Sequence, residues 1–223
     1  MARAGDIIDE ARDYHPGFTE ERFPNRMLLR RLGRAQHKVY EAVADRDPDF
    51  LAQEVVFGPE EVQAALAARA PLSLPEYLAV SSARVYYNPV ADYVESLPVR
   101  LLATRQRLSH VAPFPSATPV AGGILLTDLR DTGDRTHGWE NLARLEIRYV
   151  PRPAPPTSVN AELSAPDDLT DALVGDLVSF MALRSGVEDA DLRQMGAREF
   201  ESLLAELSIR GQGRTWHVEP AWP

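Results

Sequence analysis

The chain contains no cysteine. That absence removes disulfides, thiolate metal sites and cysteine nucleophiles, and it fits a reducing compartment without requiring one. Lysine is almost as scarce: Lys38 is the only one among 24 basic residues. The arginines that replace it are what a GC-rich coding genome would produce; they also form better bidentate contacts than lysine does. Long apolar runs are missing too. No stretch approaches the roughly 18 residues of a membrane-spanning helix, so no membrane partner is expected. Met1–Asp6 has no apolar segment of the kind a signal peptide carries, and none is expected.

Motifs of catalysis are equally scarce. There is no GxSxG elbow and no GxxxxGK[ST] loop, and Gly122-Gly123 lacks the GxGxxG context. The histidines (His15, His37, His110, His137, His217) are scattered, with no HxH, HxxxH or HExxH spacing to hold one metal ion. Ser109 and His110 are neighbours on a strand-like stretch, so they point to opposite faces. Ser81-Ser82 has no nucleophile-elbow context. Asp128, Asp131 and Asp134 fail the EF-hand pattern and read as a polar turn. The expectation is therefore no enzyme, no cofactor and no metal site.

What is present is a patterned chain of 223 residues with 44% hydrophobic content, long enough to bury a sizeable core. The net charge of −9 is uneven: −3 over residues 1–70, +1 over 71–160 and −7 over 161–223. Such a balance opposes tight duplex binding, where phosphate neutralisation by cations dominates affinity.

The pattern predicts an α+β protein: mainly a helical bundle with an inserted small antiparallel β-subdomain. Residues 1–70 form its N-terminal helical part, 71–150 the β-subdomain, 151–160 a proline-rich linker, 161–210 the C-terminal helices and 211–223 an extended tail. A first helix is expected from Asp6, stopped by His15-Pro16-Gly17. A second opens at Thr19, with Pro24 in its first turn, and runs to about Ala44 on an apolar stripe through Phe23, Met27, Leu28, Leu32, Ala35, Val39 and Val43. A third is expected at Glu60–Ala70. Strand patterns cover Tyr77–Tyr87, Val99–Leu108, Gly122–Leu129 and Leu142–Val150. In the last, Leu145, Ile147 and Tyr149 alternate with Glu146 and Arg148. Asn88-Pro89, Ala112–Pro119 and Asp131–Gly138 read as turns. PRPAPPTSVN (residues 151–160) reads as an extended spacer. A helix is expected from about Pro166 to Arg184 with Ser185-Gly186 as its stop, and a last one from Asp189 or Asp191. Gly211-Gln212-Gly213 should release the tail.

Two features invite partners. Arg22, Arg26, Arg30, Arg34 and Lys38 recur at every fourth position, which puts them along one face of the second helix. Their ordinary reading is a solvated face partly paired with Glu20, Glu21 or Glu41. Their functional reading is a subunit–subunit contact, with the acidic C-terminal segment of a neighbouring copy as its counterpart. The tail holds Trp216, Val218 and Trp222 after Arg214. Tryptophans serve as interface anchors or as completion of the chain's own core.

The opening helix GDIIDEARDYH, the helix FPNRMLLRRLGRAQHKVYEAV with its LLRxLxxAQxxVY pattern, the strand LEIRYVPRPAP and the helix DDLTDALVGDLVSFMALR occur in that order. In this they resemble the head–tail connector (adaptor) proteins of tailed bacteriophages. The resemblance implies a structural virion protein, assembled in the bacterial cytoplasm. It implies a homo-oligomeric ring, usually of twelve copies, that binds the capsid portal protein and a downstream tail or stopper protein. DNA would pass through that ring as cargo, without sequence-specific binding. By position, Arg214, Trp216, Val218 and Trp222 would meet the portal. Alternatives are another tail-completion or baseplate adaptor protein, a small hydrolase with its site in the β segment, or a binding module using Tyr77, Tyr86, Tyr87 and Tyr93.

Overall fold

The computed structural model describes residues 2–90, 93–102, 115–127, 139–163 and 165–212. The protein is α+β. Its chain divides into two compact units: Met1–Asp47 with Arg152–Pro223, and Pro48–Pro151. The division falls at Asp47/Pro48, not near residue 70, so the third helix belongs to the unit that holds the strands.

The first unit is built from both ends of the chain. Helix α1 (Ala4–Asp13) buries Ala4, Ile7, Ile8 and Ala11, the three-and-four spacing of one helical face. Asp6 does not cap it. Arg3 holds the cap position, and the Asp6 carboxylate reaches back to accept the Arg3 N–H at 3.4 Å. The N–H groups of Ala4 and Gly5, which no helical carbonyl can serve, donate to the carbonyls of Ala161 (3.0 Å) and Val159 (2.7 Å). The proline-rich segment is thus tied to α1. It is also packed on α2 (Asn25–Arg46), where a side chain at Gly33 would come within 3.1 Å of the Pro155 Cβ.

Helix α2 starts six residues later than Thr19. Residues 18–24 form turns that bury Phe18 and Phe23 edge to face, 6.0 Å apart. Pro24 lies outside the helix at ψ 145°, and a proline disfavours helical geometry at the residue before it. Arg12 fastens the turn, donating to the Phe23 carbonyl at 2.9 Å and to Asn25 Oδ1 at 2.7 Å. The buried stripe of α2 keeps Leu28, Leu32, Ala35, Val39 and Val43 and adds Gln36, Tyr40 and Ala44.

Helices α4 (Thr170–Ser185) and α5 (Ala190–Gln212) complete this unit. Gly186 ends α4 in the left-handed region at φ +70°, where glycine escapes the Cβ clash. Asp189 opens α5, its Oδ1 accepting from Asp191 N at 2.8 Å. Gly211 and Gln212 continue the helix instead of releasing the chain. Gly175 and Gly196 let α4 and α5 approach closely: a Cβ on Gly175 would lie 3.3 Å from the Gly196 Cα.

The second unit carries eight strands and one α-helix among its described residues. One sheet runs in the order β1 (Gln53–Phe57), β8 (Leu142–Pro151), β3 (Tyr77–Val90), β4 (Tyr93–Pro98), with every pair antiparallel. The other runs β2 (Leu72–Ser73), β7 (Gly123–Thr127), β6 (Ser116–Val120), β5 (Arg100–Leu101). Here the β5–β6 pair is parallel, so the subdomain is not purely antiparallel. Helix α3 (Pro59–Ala68) packs on β8 and on the 3-10 turn Trp139–Asn141. Val62, Val85, Ile124, Trp139, Leu145 and Ile147 are among the residues of one continuous core.

Several sequence expectations change here. Strands β1, β2 and β4 were not foreseen. Asn88-Pro89 does not break β3, which crosses it with a register shift between Tyr87 and Val90. Pro119 stands inside β6, at a position where β5, which pairs only with Ser116 and Ala117, no longer needs an N–H donor. The turn at 131–138, residues 103–108 of the second strand pattern, and Asp128, Asp131 and Asp134 lie outside the described residues.

Candidate interaction surface

The basic row of the second helix splits into three fates. Arg22 precedes α2 and turns inward on its own unit: its Nη2 donates to the Ser185 carbonyl at 3.0 Å, satisfying the C-terminal end of α4. Lys38 lies over the Phe200 ring of α5 at 4.7 Å, a cation–π contact that holds its stem against the surface. Arg26, Arg30 and Arg34 stand exposed on successive turns of α2, and no ion pair engages them among the described residues. Two of the three expected acids serve elsewhere. Glu20 accepts from Asn25 at 2.9 Å, and Glu41 faces His37 at 3.1 Å.

These three arginines rim two adjoining hollows of the first unit. One, of about 500 Å³, is lined by Arg26, Met27, Arg30, Arg31, Arg34, Phe180 and Arg184, with Pro24 at its edge. The other, of about 620 Å³, shares Arg30 and Arg34 and adds His37, Lys38, Glu41, Arg152 and two prolines of the 151–156 segment. The Phe180 ring lies between two guanidinium groups, Arg31 at 5.3 Å and Arg184 at 5.2 Å. Arg31 is held in turn by a two-pronged pair with Asp176, Nε to Oδ2 at 2.5 Å and Nη2 to Oδ1 at 2.6 Å. Bidentate geometry fixes the plane of a guanidinium as well as its position. The result is a cationic band around an aromatic floor. It can receive carboxylates or phosphates.

A hollow of opposite character lies on α1, α4 and α5. Glu10, Asp171 and Glu199 surround it together with Tyr14, Val174 and Met195, enclosing about 200 Å³. No cation pairs with the three carboxylates among the described residues. Partial burial raises the Tyr14 phenol above its ordinary value, and the negative field of Glu10, Asp171 and Glu199 raises it further.

Other sequence candidates that are described take local structural roles. His15 accepts the Gly17 N–H at Nδ1 (2.9 Å), which makes it a turn residue. Ser81 donates to Asp49 Oδ1 at 2.9 Å, and Arg148 donates to the same oxygen at 3.3 Å, so that carboxylate ties a strand to its neighbours. The tyrosines build no platform. Tyr87 is buried, and its neighbour Tyr86 lies on the opposite face under the Arg144 guanidinium at 4.3 Å. Hydrogen bonding to Glu146 raises the Tyr86 phenol above its ordinary value. Tyr77 spends its hydroxyl on backbone carbonyls. The Tyr93 side chain, His110, His137, His217 and the tail residues Arg214, Trp216, Val218 and Trp222 lie outside the described residues. Among the described residues no group of three His, Asp or Glu side chains, the acidic trio included, is arranged to hold a metal ion, and no helix is long and apolar enough to cross a membrane.

Sequence pattern found Arg26, Arg30 and Arg34 because they share one helix. It missed Arg31, Arg152, Phe180 and Arg184, which join them only by packing. The acidic trio left no signal at all, since its members come from three separate helices. No protein-family model matches the chain, and no curated protein matches it.

Proposed function

We propose that this chain is a head–tail connector (adaptor) subunit of a tailed-bacteriophage virion, a structural protein that binds the capsid portal and forms a homo-oligomeric ring. In this reading α1, α2, α4 and α5 act as a helical bundle into which the β unit is inserted. The ring assembles in the host cytoplasm, meets a downstream tail or stopper protein and lets DNA pass.

The observation that carries the reading is the free row Arg26, Arg30 and Arg34 beside Met27 and Phe180. Arginine, methionine and aromatic side chains are the residues that protein–protein interfaces enrich. A row held at helical spacing, with Glu20 and Glu41 engaged elsewhere, is a surface prepared for a macromolecular partner. The net charge of −9 supports passage of DNA without capture, since an acidic subunit repels the phosphate backbone. The tail supplies the second contact, with Trp216 and Trp222 as its anchors.

The test mixes the purified chain with the portal protein of the same genome and measures mass and shape by native mass spectrometry and negative-stain microscopy. A closed ring seated on the portal is expected, and Trp216→Ala with Trp222→Ala should weaken its attachment at least tenfold. A chain that ignores the portal at every concentration refutes the assignment.

A further inference from the structure

We propose that the row Arg26–Arg30–Arg34 of one copy docks on the Glu10–Asp171–Glu199 hollow of a second copy, so that identical chains associate head to tail. This deepens the ring-forming reading above and rests on it for closure of the ring; the contact itself concerns the chain alone.

Three observations converge. The row is cationic and no ion pair engages its three arginines among the described residues, the nearby Glu41 facing His37; the hollow is anionic and no cation pairs with its carboxylates by the same measure. Both belong to the same unit, and each has partly exposed side chains beside its charges: Met27 and Phe180 by the row, the 44% exposed Tyr14 by the acids. Lastly, the two patches look away from each other. Asp171 and Phe180 lie nine residues apart on α4, about two and a half turns, which places them on opposite sides of that helix. One copy therefore cannot satisfy its own row with its own hollow.

The geometry of association follows. The two patches differ, so the contact is heterologous. Each copy that docks its row leaves its hollow free for the next, and such a series closes into a ring or extends as a filament. A two-fold dimer would need one patch to complement itself, and neither does. The spacing is compatible: Arg26 to Arg34 spans about 12 Å of helix axis, a reach suited to a cluster of three carboxylates on neighbouring helices. Nucleic acid is the poorer occupant for the row. The chain's net charge of −9 sets a repulsive background for a polyanion, whereas a second copy brings its own complementary hollow.

Sedimentation velocity on the full-length chain tests this with two variants that remove charge without reversing it, R26Q/R30Q/R34Q and E10Q/D171N/E199Q. The wild type should grow in mass with concentration at low salt and return to monomer near about 0.5 M NaCl, where screening is nearly complete. Each variant alone should stay monomeric, with self-association weakened at least tenfold, while keeping the wild-type circular dichroism spectrum. An equimolar mixture of the two variants should form a dimer and nothing larger, because each retains one intact patch. A wild type that is monomeric throughout, variants that associate like the wild type, or a mixture that stays monomeric would each overturn the proposal. So would a row variant that loses affinity for a short DNA duplex while self-associating normally, which would assign the row to nucleic acid. A monomeric chain that still binds the portal removes this contact and leaves the connector reading standing; a self-associating chain that ignores the portal does the reverse.

Discussion

The hydroxyl of Ser179 accepts the backbone N–H of Gly196 at 2.7 Å and donates to the carbonyl of Leu192 at 3.2 Å. In an uninterrupted α-helix those two backbone groups would pair with each other. A side chain of α4 is thus inserted into the hydrogen-bond ladder of α5, at the point where Gly175 and Gly196 bring the two helices together. The same two helices supply Phe180, Arg184 and Glu199 to the hollows of the first unit, so this contact sets where both patches lie.

Adding a methyl group at Gly196 should therefore be expensive. Its Cβ would lie 3.0 Å from the Asp176 Cα and 3.0 Å from the Gly175 carbonyl oxygen, both backbone atoms that cannot turn aside. Gly196→Ala is expected to destabilise the chain by about 1–3 kcal/mol, the range of overpacked cores. Urea denaturation followed by circular dichroism measures it; an unchanged midpoint would show that α4 and α5 do not touch there.

Gly186 gives the contrasting case. Its φ is +70°, yet nothing lies within 4 Å of where a Cβ would stand. Only the left-handed backbone is at issue, so Gly186→Ala should cost about 1–2 kcal/mol and Gly186→Asn less, since asparagine tolerates that region better. Equal losses for the two substitutions would contradict this cause.

Gln36 is 1% exposed on the inner face of α2, and neither its Oε1 nor its Nε2 finds a protein partner. A buried amide without partners costs about 1–3 kcal/mol. Gln36→Leu, close to it in volume, is expected to raise stability by roughly that amount in thermal denaturation. A loss instead would mean that the amide is satisfied in solution.

Tyr77 joins the two sheets of the second unit: its hydroxyl is shared between the carbonyls of Val120 (2.5 Å) and Gly123 (2.9 Å). Burial raises this phenol above its ordinary value of 10.0. The folded chain then keeps the proton at a pH where the unfolded chain has lost it. The associated stability is complete below pH about 10 and falls as pH rises further. Tyr77→Phe should cost about 1 kcal/mol at neutral pH, as for a typical lost hydrogen bond. It should also flatten the alkaline decline relative to wild type; parallel pH profiles for the two proteins would remove Tyr77 from that decline.

Much of the fold was legible because local patterns agreed with tertiary burial. LEIRY alternates, and Leu145, Ile147 and Tyr149 are buried as that alternation requires. Gly186 ends α4 because only a residue without Cβ accepts that turn freely. Strand β1 was illegible because it is five residues long, begins Gln53-Glu54 and borrows its order from pairing with β8. The start of α2 was misplaced because helical spacing in Phe23 and Met27 outweighed the restriction that Pro24 imposes on its predecessor.

Composition and periodicity by themselves determined that thiol chemistry is absent, that helices flank strands, and that three arginines share one helical face. These are properties of single residues and of neighbours within a turn or two, where backbone geometry leaves few choices. Only the tertiary structure decided which charges are paired and which remain free. Arg31 is bound by Asp176, 145 positions further on, while Arg30 beside it faces open space. A hundred degrees of helical rotation separates the fates of these two adjacent side chains. Which of them meets a carboxylate depends on where another helix lies, and no local pattern records that.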